Sequence, residues 1–264
     1  MMAPETQAPL KVYWQPGCSS CLKTKEFLIA NGMEFDSINV LEDERGFKDL
    51  EAFGVKLVPI VARGSDWANG AVFRDVARVA GFAWVGHEIL PPSELLSRID
   101  GILEGARRFA AQIPEGELDT ILPGRPRSYR QLVYHVFNIP DVFLDHVELD
   151  APYTYEALLS ILPDDMVTKQ DLLDYGAAVQ ARLTAWWETV GHNTDFSQDG
   201  NVYYGDVSLH EVLERTGWHS GQHTRQLMLT LEKLGLTVDQ PLGDDAFAGL
   251  PMPNNVWDNE TTFD

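Results

Sequence analysis

Only two cysteines occur in 264 residues, Cys18 and Cys21. That scarcity excludes a framework of several disulfides, and it excludes a zinc site built from two cysteine pairs, because the Cys-x-x-Cys spacing has no second pair to match it. Basic residues are also few: 20 Lys and Arg against 40 Asp and Glu give a formal charge of −20, with no basic run to offset it. Such a surface repels phosphate backbones and anionic headgroups, which argues against nucleic acid and membrane as partners. No apolar run approaches the roughly 20 residues needed to cross a bilayer. Residues 1–10 have neither the basic segment nor the apolar stretch of a secretory leader. Together with cysteines in a redox spacing, these absences point to a soluble protein in the reducing cytoplasm.

What is present is an ordinary globular composition, 44% hydrophobic, in a chain longer than a typical single domain. Two domains are therefore expected. The two cysteines lie in Pro16-Gly17-Cys18-Ser19-Ser20-Cys21, between the apolar Val12-Tyr13-Trp14 and a stretch, Leu22 to Ile29, whose apolar residues recur at helical spacing. Cys18 thus falls at a strand-to-helix turn, where unpaired N–H groups and the helix macrodipole favour a thiolate and Lys23 or Lys25 adds positive potential. Cys18 reads as the nucleophile and Cys21, one turn further in, as the resolving thiol. About forty residues on, Val58-Pro59 opens the apolar run Ile60-Val61-Ala62.

The order is strand, Cys-x-x-Cys, helix, strand (Phe35 to Val40), helix (Phe47 to Phe53) and Val-Pro strand. It resembles a glutaredoxin or a close NrdH-type relative over residues 9–82. The resemblance implies an α/β thioredoxin-like fold in which Pro59 is cis and faces the reactive cysteine, leaving the Val58 backbone to pair with the cysteine of glutathione or a similar low-molecular-weight thiol. Gln15 stands where glutaredoxins that hold glutathione usually carry lysine, and Asp66-Trp67-Ala68-Asn69-Gly70, with Asp75 beyond, occupies the stretch of their glycine pair and aspartate. Gln15, Val58 and Pro59 are the candidate thiol-binding residues.

Residues 64–92 read as leading out of this domain, with Pro91-Pro92 stiffening a linker over 83–92. Long helical periodicity follows. Ser93 is expected to cap a helix running to Ile113; Ser128 with Gln131, Thr168 with Asp171, and Ser208 with Glu211 form capping-box patterns before three more helices, the second of them bent at Pro140. Trp186 and Trp187 belong to the core of the third. Four long helices over 93–236 make an all-α four-helix bundle, and the tail of residues 237–264, with six carboxylates and no basic residue, reads as a loosely ordered wrap or flap.

On the last helix the inward stripe Leu209, Val212 or Leu213, Thr216, His219, His223, Gln226 or Leu227, and Leu231 contains two imidazoles at i and i+4. His135 shares a stripe with Leu132, Ile139 and Val142 on the second helix and also points inward. A lone inward histidine is commonly a hydrogen-bonded core residue. Three that converge in a bundle suit a divalent transition metal such as zinc, nickel or iron, and leave coordination positions open. His146, lower on the His135 helix, is held in reserve as a ligand; His87, His192 and His210 read as surface or structural. Asp141, Asp145 and Glu148 read as a solvated helix face rather than as support for the ligands.

The string Trp218-His219-Ser220-Gly221-Gln222-His223-Thr224-Arg225-Gln226-Leu227 resembles the last helix of the DinB family, and His135 falls on that family's histidine of helix two. The resemblance covers residues 93–236 and implies a DinB-like metal-binding bundle, some of whose relatives use a low-molecular-weight thiol. The expected function is a glutathione-dependent enzyme in which a metal-activated thiolate attacks a small electrophile, by transfer, isomerisation or reductive elimination, and the dithiol resolves the adduct. The alternatives are a redox-responsive binding or scaffold protein, with the bundle as a dimerisation or sensing module, and a plain thiol–disulfide oxidoreductase with an appended bundle. A homodimer is compatible with each.

Overall fold

The computed structural model describes residues 8–159, 161–258 and 260. The chain divides between His87 and Glu88 into two compact units.

The first unit is a four-stranded mixed sheet in the order β2-β1-β3-β4: β1 (Leu10–Trp14) pairs parallel with β2 (Asp36–Asn39) and antiparallel with β3 (Ile60–Arg63), which pairs antiparallel with β4 (Asp66–Asn69). Alternation along β1 sends Leu10 and Val12 to one face and Tyr13 to the other. The first face joins Val61, Ala68 and Leu28 of helix α1 (Ser19–Ala30) with Val76 and Val79 of α3 (Phe73–Ala80). The second face joins Ile60, Ala62 and Leu50 of α2 (Glu44–Ala52). This sandwich of sheet between helices is the thioredoxin-like arrangement. The stretch 64–82, read from sequence as leading outward, instead supplies β4 and α3. β4 is an edge strand of four residues, too short and too polar to show an alternation.

Pro59 follows a cis peptide bond from Val58. Gly70, just past β4, packs directly on it: the Gly70 N–H donates to the Pro59 carbonyl at 2.9 Å, and a Cβ at Gly70 would lie 2.7 Å from both Pro59 Cγ and Thr24 Oγ1. Thr24 Oγ1, on α1, lies 2.8 Å from the Gly70 carbonyl. The cysteine helix and the proline turn are thus fastened through one residue without a side chain. Gly70→Val is expected to cost about 1–3 kcal/mol by overpacking and to slow reduction of a glutathione mixed disulfide. Urea denaturation and a disulfide-reductase assay of the variant check both; unchanged stability and rate would show that the contact positions nothing.

The second unit contains α4 (Pro92–Gln112), α5 (Tyr129–Leu149), α6 (Lys169–Thr189) and α7 (Leu209–Lys233). The three capping boxes expected from sequence start α5, α6 and α7, and α5 runs on through Pro140. α4 begins two residues earlier than expected. Pro91 is its N-cap and Pro92 its first residue, where a missing N–H costs nothing, so Ser93 lies inside the helix rather than capping it. Trp186 is core, and Trp187 is half-buried.

Within the acidic C-terminal segment, residues 239–257 are packed rather than loose. Arg108 donates to the carbonyls of Asp239 and Gln240, Arg225 to those of Pro253 and Asn254, and Gln222 to those of Asn255 and Val256. Phe247, Leu250 and Trp257 are buried. α4 and α7 supply cations that this segment lacks, and its backbone carbonyls accept from them. Asp141, Asp145 and Glu148 are likewise not a bare solvated face, since all three converge on Arg182 of α6 at 2.7–2.9 Å. Among the described residues no helix is long and apolar enough to cross a membrane.

Candidate functional site: a dithiol turn and a buried histidine cluster

The dithiol turn is built by local chemistry. Gly17, at φ 65°, takes the left-handed conformation that lets the chain turn from β1 into α1. Cys18 is the N-cap of α1, and its Sγ accepts from the Cys21 N–H at 3.2 Å. That donor stabilises negative charge on sulfur in the reduced form. Cys18 and Cys21 are joined by a disulfide, with Cα atoms 5.2 Å apart. Cys18 is partly exposed while Cys21 is 0% exposed, which fits attack from outside on Cys18 and resolution from within. The lysines expected to brighten the site sit on aromatic faces: Lys25 Nζ lies 3.8 Å above the Trp14 ring and Lys23 Nζ 5.1 Å from the centre of Phe73.

The candidate thiol-binding residues differ in their state. Gln15 and Val58 are half-buried and Pro59 is buried. Among the described residues, neither the N–H nor the carbonyl of Val58 makes a hydrogen bond, which is what pairing with an extended ligand backbone requires. Asp66 is held by Arg78 at 2.7 Å and so is engaged within the unit.

In the second unit, His135 of α5 meets His219 and His223 of α7, with a candidate ligand atom from each lying within 4.8 Å of the others. The rings are 4.7 Å (His135 to His223), 5.3 Å (His135 to His219) and 5.0 Å (His219 to His223) apart, centre to centre. Exposures of 4%, 8% and 1% place all three out of bulk water. Burial drives each pKa well below the usual histidine value, and neighbouring arginines push the same way, so the rings are neutral, the form that offers a lone pair. His223 Nδ1–H donates to Gln226 Oε1 at 2.7 Å, which leaves Nε2 unprotonated. Gln226 Nε2 in turn reaches the Val256 carbonyl at 3.4 Å, so the C-terminal segment braces the residue that orients His223. His135 Nδ1 is buried with no hydrogen-bond partner. An orphaned ring nitrogen costs about 1–3 kcal/mol, and a metal ion would take its lone pair. The donor set therefore fits a divalent transition metal.

His146 lies elsewhere, with Nδ1 2.8 Å from the Ala151 carbonyl and Nε2 2.9 Å from that of Gly200. Both nitrogens are engaged in holding loops, so it is not a ligand in reserve. His210 and His192 likewise bond to backbone carbonyls.

Replacing Gln226 with leucine is expected to weaken metal binding about 10- to 100-fold while leaving the three ligands in place, because the His223 tautomer is then unguided. Competition with a chromophoric chelator measures this, and unaltered affinity would show that Gln226 does not orient the ring.

Two buried arginines had no place in the sequence-based site: Arg127, just before α5, and Arg215, one turn before His219 on α7, whose guanidinium lies against the Tyr204 ring. Tyr203 N–H donates to the Tyr153 carbonyl, and the Tyr203 and Tyr204 rings are 5.2 Å apart. The signal for Arg215 was its i−4 spacing from His219.

The glutaredoxin family model matches residues 10–66, and that of the DinB superfamily matches 99–227. The chain joins a glutaredoxin domain to a DinB superfamily domain. Gene 56 protein of Mycobacterium phage L5 is 36% identical over 55 residues, 19% of this chain and 53% of that protein, so the chain spans about half the length of this curated relative. The glutaredoxin domain supports an activity of the thiol–disulfide oxidoreductase type, and the DinB domain contributes three histidines able to hold a metal.

Proposed function

We propose that this is a glutathione-dependent enzyme acting on a small electrophile, with the histidine cluster as the centre where thiol and electrophile meet and the dithiol as the site that resolves the product. The observation that carries this reading is the orphaned Nδ1 of His135 inside a buried, neutral histidine cluster, in the same chain as a Cys18–Cys21 disulfide. His135, His219 and His223 would hold a divalent transition metal, which would supply Lewis acidity to stabilise a thiolate. Gln226 fixes the ring that presents one ligand, and burial keeps water from competing for the electrophile.

The glutathione sulfur forms a bond to the electrophilic carbon, and the displaced pair of electrons leaves with the leaving group or remains on the substrate and takes a proton. Where the product is reductive, the Cys18 thiolate attacks the glutathionyl sulfur of the adduct. The carbon–sulfur pair departs with the carbon, which is protonated, and a Cys18–glutathione disulfide remains. Cys21 then attacks Cys18 Sγ, releasing glutathione and closing the Cys18–Cys21 disulfide, which two equivalents of a low-molecular-weight thiol reopen. Gln15, Val58 and Pro59 hold the glutathionyl group at this stage, Val58 through its backbone.

Metal analysis of the purified protein, with a screen of glutathione-dependent turnover of small electrophiles, tests the reading. Bound metal together with consumption of electrophile is expected. A metal-free protein that only reduces disulfides would leave the plain oxidoreductase in its place.

A further inference from the structure

The strongest charged influences on the cluster, other than the imidazoles themselves, are guanidinium groups: Arg127 acts on His135, His219 and His223, and Arg215 on His219 and His223. Arg127 and Arg215 are each 6% exposed. Neither forms an ion pair with a carboxylate among the described residues, and Arg215 Nε and Nη1 are buried with no hydrogen-bond partner. The Arg215 guanidinium lies 4.8 Å from the centre of the Tyr204 ring and 5.2 Å from that of Trp218. Trp218 in turn lies 5.7 Å from His219, ring centre to ring centre.

A buried guanidinium without a counterion is costly, and two beside a cationic metal are more so. The Tyr204 and Trp218 rings lie against the Arg215 guanidinium and Tyr203 takes one hydrogen bond from it, which leaves the buried Nε and Nη1 donors for a carboxylate. Taking the histidine cluster as a ligand-binding centre, as above, we infer that Arg127 and Arg215 form a carboxylate subsite beside it, so that the small molecule bound there is an organic acid. Its carboxylate completes the hydrogen bonds of Arg215 and offsets the positive charge gathered around the imidazoles. The acid is the electrophile or glutathione itself.

The test uses the full chain, first stripped with chelator and then loaded with zinc, and titrates it calorimetrically with succinate, the uncharged succinamide and inorganic phosphate. Succinate is expected to bind in both forms, at least tenfold more tightly than succinamide or phosphate. Arg127→Gln and Arg215→Gln are each expected to weaken succinate about 10- to 100-fold. Arg215→Gln removes a stacked core group and is compared with Arg215→Lys, and Arg127→Gln decides the matter if neither folds. Equal binding of succinate and succinamide, equal binding of phosphate, or wild-type affinity in folded Arg127→Gln would overturn the subsite. Loss of zinc binding with succinate affinity kept would sink the metal reading and leave the subsite standing. A parallel titration with glutathione and its diethyl ester identifies the source. A matching loss for the ester assigns the carboxylate to the thiol, and equal affinities assign it to the electrophile; either supports the inference.

Discussion

The triple variant His135→Ala, His219→Ala, His223→Ala is expected to hold no divalent transition metal, where the unaltered chain holds about one ion as a three-ligand site does. Cys18→Ser is expected to leave metal content unchanged. The expectation follows from the donor inventory. His135, His219 and His223 form the metal-competent group of His, Cys, Asp or Glu found among the described residues. His146, the nearest substitute by sequence, has both nitrogens on backbone carbonyls. Full metal retention by the folded triple variant would sink the assignment, and the histidines would then be core residues.

The pH dependence of stability gives a second arm that needs no metal. Each of the three histidines has a folded pKa well below its ordinary value, chiefly from burial. Between the folded and unfolded values the unfolded chain binds more protons, so stability rises with pH across that window. The contribution is fully present above about 6.5, the unfolded value, and is lost as pH falls below it, by up to about 1.4 kcal/mol per pH unit for each histidine. Chelator-treated protein should therefore lose urea stability between pH 7.5 and 5.5, and the triple variant should lose much less over that span. Parallel curves for the two proteins would mean that these rings are not what acid attacks.

How much of this was readable from the chain depends on whether the physics involved is local. The capping boxes at Ser128, Thr168 and Ser208 are closed within four residues, and the structure has all three. The imidazole spacing on α7 is also local, and the inward stripe brings those rings to His135. Beginnings and edges were less legible. Two prolines compete with Ser93 for the start of α4, and the N1 preference of proline prevails. β4 has a single large apolar residue, Trp67, and draws its place from pairing with β3. Arg127 and Arg215 could not be found by a rule that sends charged residues to solvent. For Arg215 that burial comes with the rings of Tyr204 and Trp218, which the charge pattern of the helix does not announce. The packing of residues 239–256 is hidden for a related reason: carbonyls of Asp239, Gln240, Pro253, Asn254, Asn255 and Val256 accept the hydrogen bonds that hold it, and a reading of side-chain charge does not count them.

The two sites should fail differently when each is removed, and this separates the proposed enzyme from its rivals. His223→Ala deletes a ligand while leaving the Cys18–Cys21 turn, in the other unit, untouched. No glutathione adduct should form with a small electrophile, even in a single turnover, while reduction of a simple glutathione mixed disulfide continues at the unaltered rate. Cys18→Ser keeps all three imidazoles, so the first turnover should proceed and a glutathionylated product should accumulate, visible by mass spectrometry, because the sulfur that would attack it is gone. Added free glutaredoxin should then restore reductive turnover. A plain oxidoreductase would lose nothing in His223→Ala, and a scaffold would show no catalytic defect in either variant. If Cys18→Ser also blocks the first turnover, the order of steps is reversed, and the partly exposed Cys18 thiolate is itself the group that attacks the electrophile.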